Sequence, residues 1–532
     1  MSGLKREILR LGYRLNVEDH LLDAYFANSD RYDFAVDERI RSYELPDSEV
    51  DGRVLLPVVQ GRDASGVFKY CIMAHAFRCR GYEPIVTLCD NDVAICHARE
   101  QHDDLSACAL CHHHGENLFS AFGLDPVPLS ALAGGESRPD PYALSDPRSL
   151  EYRGIRVSDY AEASARRFLR RYHFDLDDSG DRETYLRFLD TAMDIVDAGY
   201  AAIAEYDVDA TLVNHAPYVY GGLFAAVAAE AGIASMTYAS GYRDRTVMFG
   251  NAKNRSPMHQ FSDEATIEAA VSEPLSGSQE ARIDEIMEGR REGETTRFDV
   301  VGEADEALDS SADYEVTAGM FTNLIWDASL TATGGAFHDP FEWISATIET
   351  IADHGDVQLV IKTHPVEAMK RTNERVSEWI TDQYGSLPGN VVLLPPETEV
   401  DTYRLIDQLD VGIVYNSTVG MEMPYFGDPV VVGGETHYRG AGFTYDPETK
   451  SEYEDTLSRL DELELTEEMR RTAKRYAYMF MVRTHVDFPF YETVDNQTRW
   501  LPVSHDDIEP GNVNFDTAVE GVLADGPVHT PE

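Results

Sequence analysis

Two stretches of this chain alternate short apolar runs with helical segments, and that alternation constrains its fold more than any other feature. In the first stretch, an apolar run at 53–59 meets a Gly/Asp turn at 60–66, a helical segment at 67–80 and another apolar run at 84–89. After long helical patterns near 155–172 and 183–205, apolar runs return at 210–213 and 233–239, around a small-residue helix at 218–231. The second stretch has runs at 318–323, 357–362, 391–394, 411–415 and 429–432, again separated by helical segments. Continuous apolar runs of this length are buried on both faces, and helices between them supply the crossovers of a parallel sheet. The expectation is α/β, with two Rossmann-like units facing across a cleft, a size that suits a 532-residue chain. Boundaries follow from composition: 1–250 for the first unit, 251–315 for a polar, acidic inter-domain insertion, 316–465 for the second unit, 466–503 for a helical return, and 504–532 for an acidic tail.

Charge narrows the partners. With 95 acidic against 45 basic residues, a formal charge of −50, the chain repels nucleic-acid phosphate and allows at most peripheral contact with an anionic membrane. Acidity spread along the whole length suits a halophilic protein kept in solution by concentrated salt, which screens self-repulsion. Residues 1–16 lack the apolar core of a leader, and no run approaches the roughly 18 apolar residues of a membrane span, so a cytoplasmic location is expected.

Chemistry concentrates at two strand ends of the second unit. The run 357–362 ends in Lys362 and leads into Thr363, His364 and Pro365; the run 411–415 leads into Asn416, Ser417, Thr418, Val419, Gly420, Met421 and Glu422. Ligands of open parallel sheets sit at these carboxyl ends, where following helices aim their N–H groups at anions. There Ser417 and Thr418 offer hydroxyls and backbone amides to a phosphate, while His364, held by Pro365, offers an imidazole N–H. The alternative reading is a helix cap and a strand-end histidine with no ligand.

The string from Ser417 to Glu422, with Phe426, Gly427, Asp428, Pro429, Val430, Val431, Gly433 and Gly434, resembles capsule-polysaccharide biosynthesis glycosyltransferases. Lys362 to Pro365 and the segment from Phe321 to Ala328 resemble the same family. The likeness covers roughly 205–445 well and 50–125 more loosely. It implies a GT-B fold with an acceptor-side first domain and a donor-side second domain. Related Kdo and sialic-acid transferases use a His-Pro and a Ser/Thr motif on the phosphate of a CMP-sugar, which implies that role for His364, Ser417 and Thr418, with Glu422 reaching the ribose or base. Where sialyltransferases commonly have Ser-Ser, this chain has Ser-Thr, which leaves the donor base and sugar open. The implied partners are a nucleotide-sugar donor and a glycan or lipid-linked glycan acceptor.

An inverting transfer needs a base for the acceptor hydroxyl. Asp63, at the end of the first run, is the candidate, with Asp90 and His215 as rivals; Asn214, Tyr242 and Arg243 follow later runs and are expected at the cleft. Asp207 and Asp209 have the spacing of a metal-binding Asp-x-Asp but precede a strand, so no catalytic metal or other cofactor is expected. Cys96, Cys108, Cys111 and His112 have the right ligand types for a structural zinc, against the alternative of reduced thiols. Three other readings compete: a CDP-polyol phosphotransferase, a nucleotide-sugar epimerase, and a silent glycan-binding subunit of a synthesis complex.

Overall fold

The computed structural model describes residues 35–45, 50–90, 93–99, 106–132, 134, 138–252, 261–293, 314–327, 334–369, 372–494 and 497–530. Residues 1–34 and, within the expected insertion, 253–260 and 294–313 lie outside them.

The apolar runs of the first stretch become β1 (Gly52–Val58), β2 (Tyr82–Leu88), a short β3 (Val127–Pro128), β4 (Ala210–Asn214) and β5 (Ala234–Ser240). All pair in parallel. β6 (Thr246–Asn251) then turns back antiparallel on β5. The second unit is wholly parallel: β7 (Val316–Phe321), β8 (Val357–Lys362), β9 (Val391–Leu394), β10 (Val411–Val414) and β11 (Val430–Val432), in the order β11-β10-β7-β8-β9. The chain then returns. β12 (His485–Asp487) pairs antiparallel with β6, completing a first sheet ordered β12-β6-β5-β4-β1-β2-β3. A hairpin of β13 (Tyr491–Val494) and β14 (Gln497–Trp500) follows.

Each sheet is covered on both faces. Helices Val157–Leu169, Ser179–Tyr206 and Val219–Glu230 bury their apolar residues on one face of the first sheet, and helix Ala64–Arg78 packs on the other. Helix Ser179–Tyr206 starts on the Asp178 carboxylate, which accepts from the amides of Gly180 and Asp181, and ends at Asp207 in the left-handed region (φ 52°). Asp209 accepts from the Arg53 amide at 2.8 Å, so the Asp207-Val208-Asp209 stretch is a turn whose second carboxylate holds β1 in place.

Two boundary expectations need correction. The segment expected as an acidic tail forms helix Val513–Ala524, which buries Phe515, Ala518, Val519 and Val522 against the first sheet. Its apolar positions fall at i, i+3, i+4 and i+7, so one face is hydrophobic however acidic the other is. Helix Gly277–Arg291, placed by sequence in an inter-domain insertion, buries Ile283, Ile286 and Met287 in the core of the second unit.

Candidate functional site

The donor-side motifs meet on one edge of the second sheet. Phe321, Lys362 and Val414 are in register at the ends of β7, β8 and β10, so the loops after three neighbouring strands open side by side. β8 and β10 flank β7, about 10 Å apart at normal strand spacing. The Val366 amide donates to Nδ1 of His364 at 3.2 Å, which leaves the proton of the neutral ring on Nε2, a donor. Pro365, which has no N–H, separates the two. Lys362 is buried at the strand end.

After β10 the chain enters helix Val419–Phe426. Thr418 sits at its N-cap without a side-chain capping bond, and Ser417 Oγ accepts from the Val419 amide at 3.3 Å. The Tyr438 hydroxyl donates to the Ser417 carbonyl at 2.6 Å, fixing the loop from behind. Gly420 makes this possible, since a Cβ there would lie 2.0 Å from the Tyr438 oxygen. Glu422 requires a correction. It is 2% exposed, with one oxygen on Arg290 at 2.7 Å and the other on the Tyr403 hydroxyl at 3.0 Å, so its carboxylate anchors Arg290 instead of standing open for a ribose.

In the first unit, the ends of β1 and β4 enclose a cavity of about 280 Å³ lined by Gln60, Asp63, His97, Arg167, Asn214, His215 and Tyr218, among others. Asp63 caps helix Ala64–Arg78, accepting from the Gly66 amide at 3.2 Å, while Asn214 Nδ2 donates to its other oxygen at 3.2 Å. Gly66 permits this meeting, because a Cβ at that position would lie 2.5 Å from both the Asn214 amide nitrogen and the Asp63 carboxylate. Asp63 remains exposed to the cavity, positioned from two sides.

His215 adopts a left-handed conformation (φ 53°), which turns the chain sharply between β4 and helix Val219–Glu230. The ring is open to the cavity yet deep between protein walls. Loss of bulk water, followed by the charge of Arg167, lowers its pKa, while Asp63 and Asp327 act in the opposite direction. Asp327 belongs to the second unit, so both halves contribute to the field at this imidazole.

Sequence reasoning missed Arg167. It donates to the Tyr218 hydroxyl at 2.8 Å, and its guanidinium lies 4.7 Å from the Tyr218 ring centroid and 5.9 Å from that of Trp326. Enclosure works against its charge, but Tyr218, Asp327 and Asp63 raise its pKa overall. Among neighbouring Arg166, Arg170 and Arg171 it carries no distinguishing sequence signal. A second join clamps the two units beside it: Glu374 accepts from the amides of Tyr172 and His173 at 2.8 and 3.0 Å and from His173 Nδ1 at 2.6 Å.

The remaining expected residues separate. Tyr242 is 39% exposed, and its carbonyl accepts from Arg290 at 3.4 Å. Arg243 turns away toward Asp487, 3.8 Å distant. Asp90 accepts from the Ser130 amide at 3.0 Å and from the Ser130 hydroxyl, and it does not line the Asp63 cavity. The expected zinc ligands also have other partners. Cys111 Sγ accepts from the Arg62 amide at 3.2 Å, Cys108 Sγ from Arg99 at 3.2 Å, and His112 pairs with Glu116 at 3.1 Å. Burial raises the Cys96 thiol pKa to about 12. Among the described residues these four do not converge as ligands; the group that does is His75, Cys79 and His505.

No helix of the described residues is long and apolar enough to cross a membrane. No curated protein matches the chain. Among solved structures it is similar to the KpsC beta-Kdo 2,4-transferase of Thermosulfurimonas dismutans, at 11% identity, covering 50% of this chain and 79% of that one with a TM-score of 0.35. It is similar also to the UDP-GlcNAc 2-epimerase of Neisseria meningitidis, at 12% identity, covering 81% and 97% with a TM-score of 0.27. Residues 319–488, which carry the His364 and Ser417 strand ends, match the family described as capsule polysaccharide biosynthesis protein, the family that the motifs at 362–365 and 417–434 resemble.

Proposed function

We propose that this protein is a GT-B glycosyltransferase that transfers a sugar from a nucleotide donor, CMP-linked or similar, to a surface-polysaccharide or lipid-linked glycan acceptor. The observation that carries the reading is a pair of sites of different chemistry, one on each unit. One is a sheet edge with neutral hydrogen-bond donors and a helix N-terminus; the other is a cavity with an exposed, doubly positioned carboxylate.

On the donor side, His364 Nε2, the Ser417 and Thr418 hydroxyls and the amides opening helix Val419–Phe426 hold the phosphate and stabilise the charge that grows on it as the sugar departs. On the acceptor side, Asp63 takes the proton of the attacking hydroxyl, and Asn214 keeps its carboxylate aimed. His215, held neutral by enclosure and by Arg167, hydrogen-bonds the acceptor. No metal is required in this scheme, since the leaving phosphate is met by backbone dipoles and an imidazole. The reaction takes place in the cytoplasm of a halophilic cell, where salt screens the charge of −50.

The test is thermal stabilisation by CMP, UDP and GDP in molar salt, followed by product analysis with the nucleotide sugar of the base that binds. Stabilisation by one nucleotide, and release of that nucleotide with a glycosidic product in the presence of a chelator, is the expected result. A phosphodiester product would instead identify a polyol-phosphate transferase. No response to any nucleotide would leave a silent subunit.

A further inference from the structure

We propose that His75, Cys79 and His505 form a zinc site that fastens the C-terminal segment to the first α/β unit. His75 lies in the last turn of helix Ala64–Arg78 and Cys79 is its C-cap, four residues on and therefore on the same face. His505 opens the short turn His505–Asp507, brought against that helix from more than four hundred positions along the chain. Their ligand atoms all lie within 4.8 Å of one another.

Hydrogen bonding alone does not account for the arrangement. His75 Nε2 is 2.9 Å from His505 Nδ1 and 3.3 Å from Cys79 Sγ. A ring nitrogen carries either one proton or one lone pair, so it satisfies one of these neighbours at a time. A cation between them satisfies all three. Tetrahedral zinc, with bonds of about 2.0–2.1 Å to nitrogen and 2.3 Å to sulfur, separates its ligand atoms by roughly 3.3–3.6 Å. The two spacings from His75 Nε2 are tighter than this by a few tenths of an ångström, which small side-chain rotations restore.

Two imidazoles and a thiol favour zinc over magnesium or calcium, which take oxygen ligands. His75 is fully buried at this point. Zinc takes the thiolate, so binding displaces the Cys79 thiol proton into solvent. Tyr43 packs edge-on to the His75 ring at 5.3 Å and hydrogen-bonds Cys79, closing one side. The site is separate from the Asp63 cavity: Asp63 and His75 sit at opposite ends of one helix, about 18 Å apart at the α-helical rise.

The test titrates the reduced, chelator-stripped full chain in molar salt with Co²⁺ and then Zn²⁺. The wild-type protein should take up about one Co²⁺ with a thiolate-to-cobalt charge-transfer band, which zinc abolishes. Cys79→Ser should lose the band, His505→Gln should weaken binding at least tenfold, and the Cys108→Ser/Cys111→Ser double variant should behave as wild type. Zinc should also raise the melting temperature of the wild type but not of Cys79→Ser. Absence of a thiolate band in the wild type overturns the proposal whatever the variants do. So does a band that survives Cys79→Ser and disappears in the Cys108/Cys111 double variant.

Discussion

The two sheets differ in how they are completed. The second is built from consecutive parallel strands, β7 to β11, and each of its five lies beside a strand that is next in sequence. The first depends on the far end of the chain: β12 closes its edge, and helix Val513–Ala524 covers one face. A self-contained sheet displays its ligand-binding edge in local sequence, whereas a sheet finished from a distance hides part of its logic. The largest expected effect in the molecule tests this dependence. Phe515 is 1% exposed and packs 5.8 Å from the Phe488 ring and 6.0 Å from that of Phe490. Phe515→Ala should cost about 3–5 kcal/mol, with hydrogen exchange accelerating in the first sheet before the second. Uniform acceleration in both would mean that the two units unfold as one.

The next test separates the sheets by chemistry. Asp63→Asn should reduce turnover by roughly a hundredfold or more, the usual worth of a general base, while leaving nucleotide affinity unchanged. The amide can still cap the helix by accepting from Gly66, so the fold should persist. Unchanged turnover would pass the proton-accepting role to His215.

What the sequence revealed follows the same division. β8 and β9 were legible to the residue because strands of a covered parallel sheet are unbroken apolar runs that stop at polar loops. β6 and β12 were not: β6 turns back antiparallel on β5, outside the parallel pattern, and β12 is an antiparallel edge strand whose partner β6 lies more than two hundred residues away. Helix Val513–Ala524 did carry a signal in Phe515, Ala518, Val519 and Val522, but acidic composition masked the period. At the site, Asp63, Asn214 and His215 could be picked out because each ends or follows a strand. Arg167 could not, since it reaches the cavity from the middle of a helical pattern rich in arginine. Glu422 misled because its position in the motif is local information, whereas its partner Arg290 comes from a segment that the sequence assigned to an insertion.

On the second sheet the expected losses are smaller and concern binding. His364→Ala and the Ser417→Ala/Thr418→Ala double variant should each weaken the nucleotide by about 1.5–3 kcal/mol, roughly ten- to a hundredfold, with turnover at saturating donor less affected than affinity. A nucleoside without phosphate should bind weakly and be indifferent to both changes. Calorimetry giving wild-type affinity in these variants would move the phosphate elsewhere and remove the contrast between a binding edge and a catalytic cavity.

The smallest effect concerns the clamp that joins the two regions. The hydrogen bond between His173 and Glu374 raises the imidazole pKa above its ordinary 6.5. Burial acts to raise the Glu374 pKa, but the bonds from His173 and from the backbone outweigh it and lower the carboxyl overall. The signs define a window. The histidine contribution is complete below its unfolded pKa and disappears as pH rises through the raised folded value; the carboxylate contribution is present above its ordinary value and disappears as pH falls through the lowered one. Because the His173 side chain is 53% exposed, solvent and salt screen the pair, and its worth should stay below about 1 kcal/mol. His173→Gln should therefore lower the melting temperature by a degree or two near pH 6, measured at the lowest salt that keeps the chain folded, and by nothing measurable near pH 9. Glu374 keeps its backbone amides in the variant, so the join itself should survive. A deficit that stayed constant from pH 6 to 9 would mean that His173 holds the two units together by packing on Phe341, whose ring centroid is 4.8 Å away, with no part played by its charge.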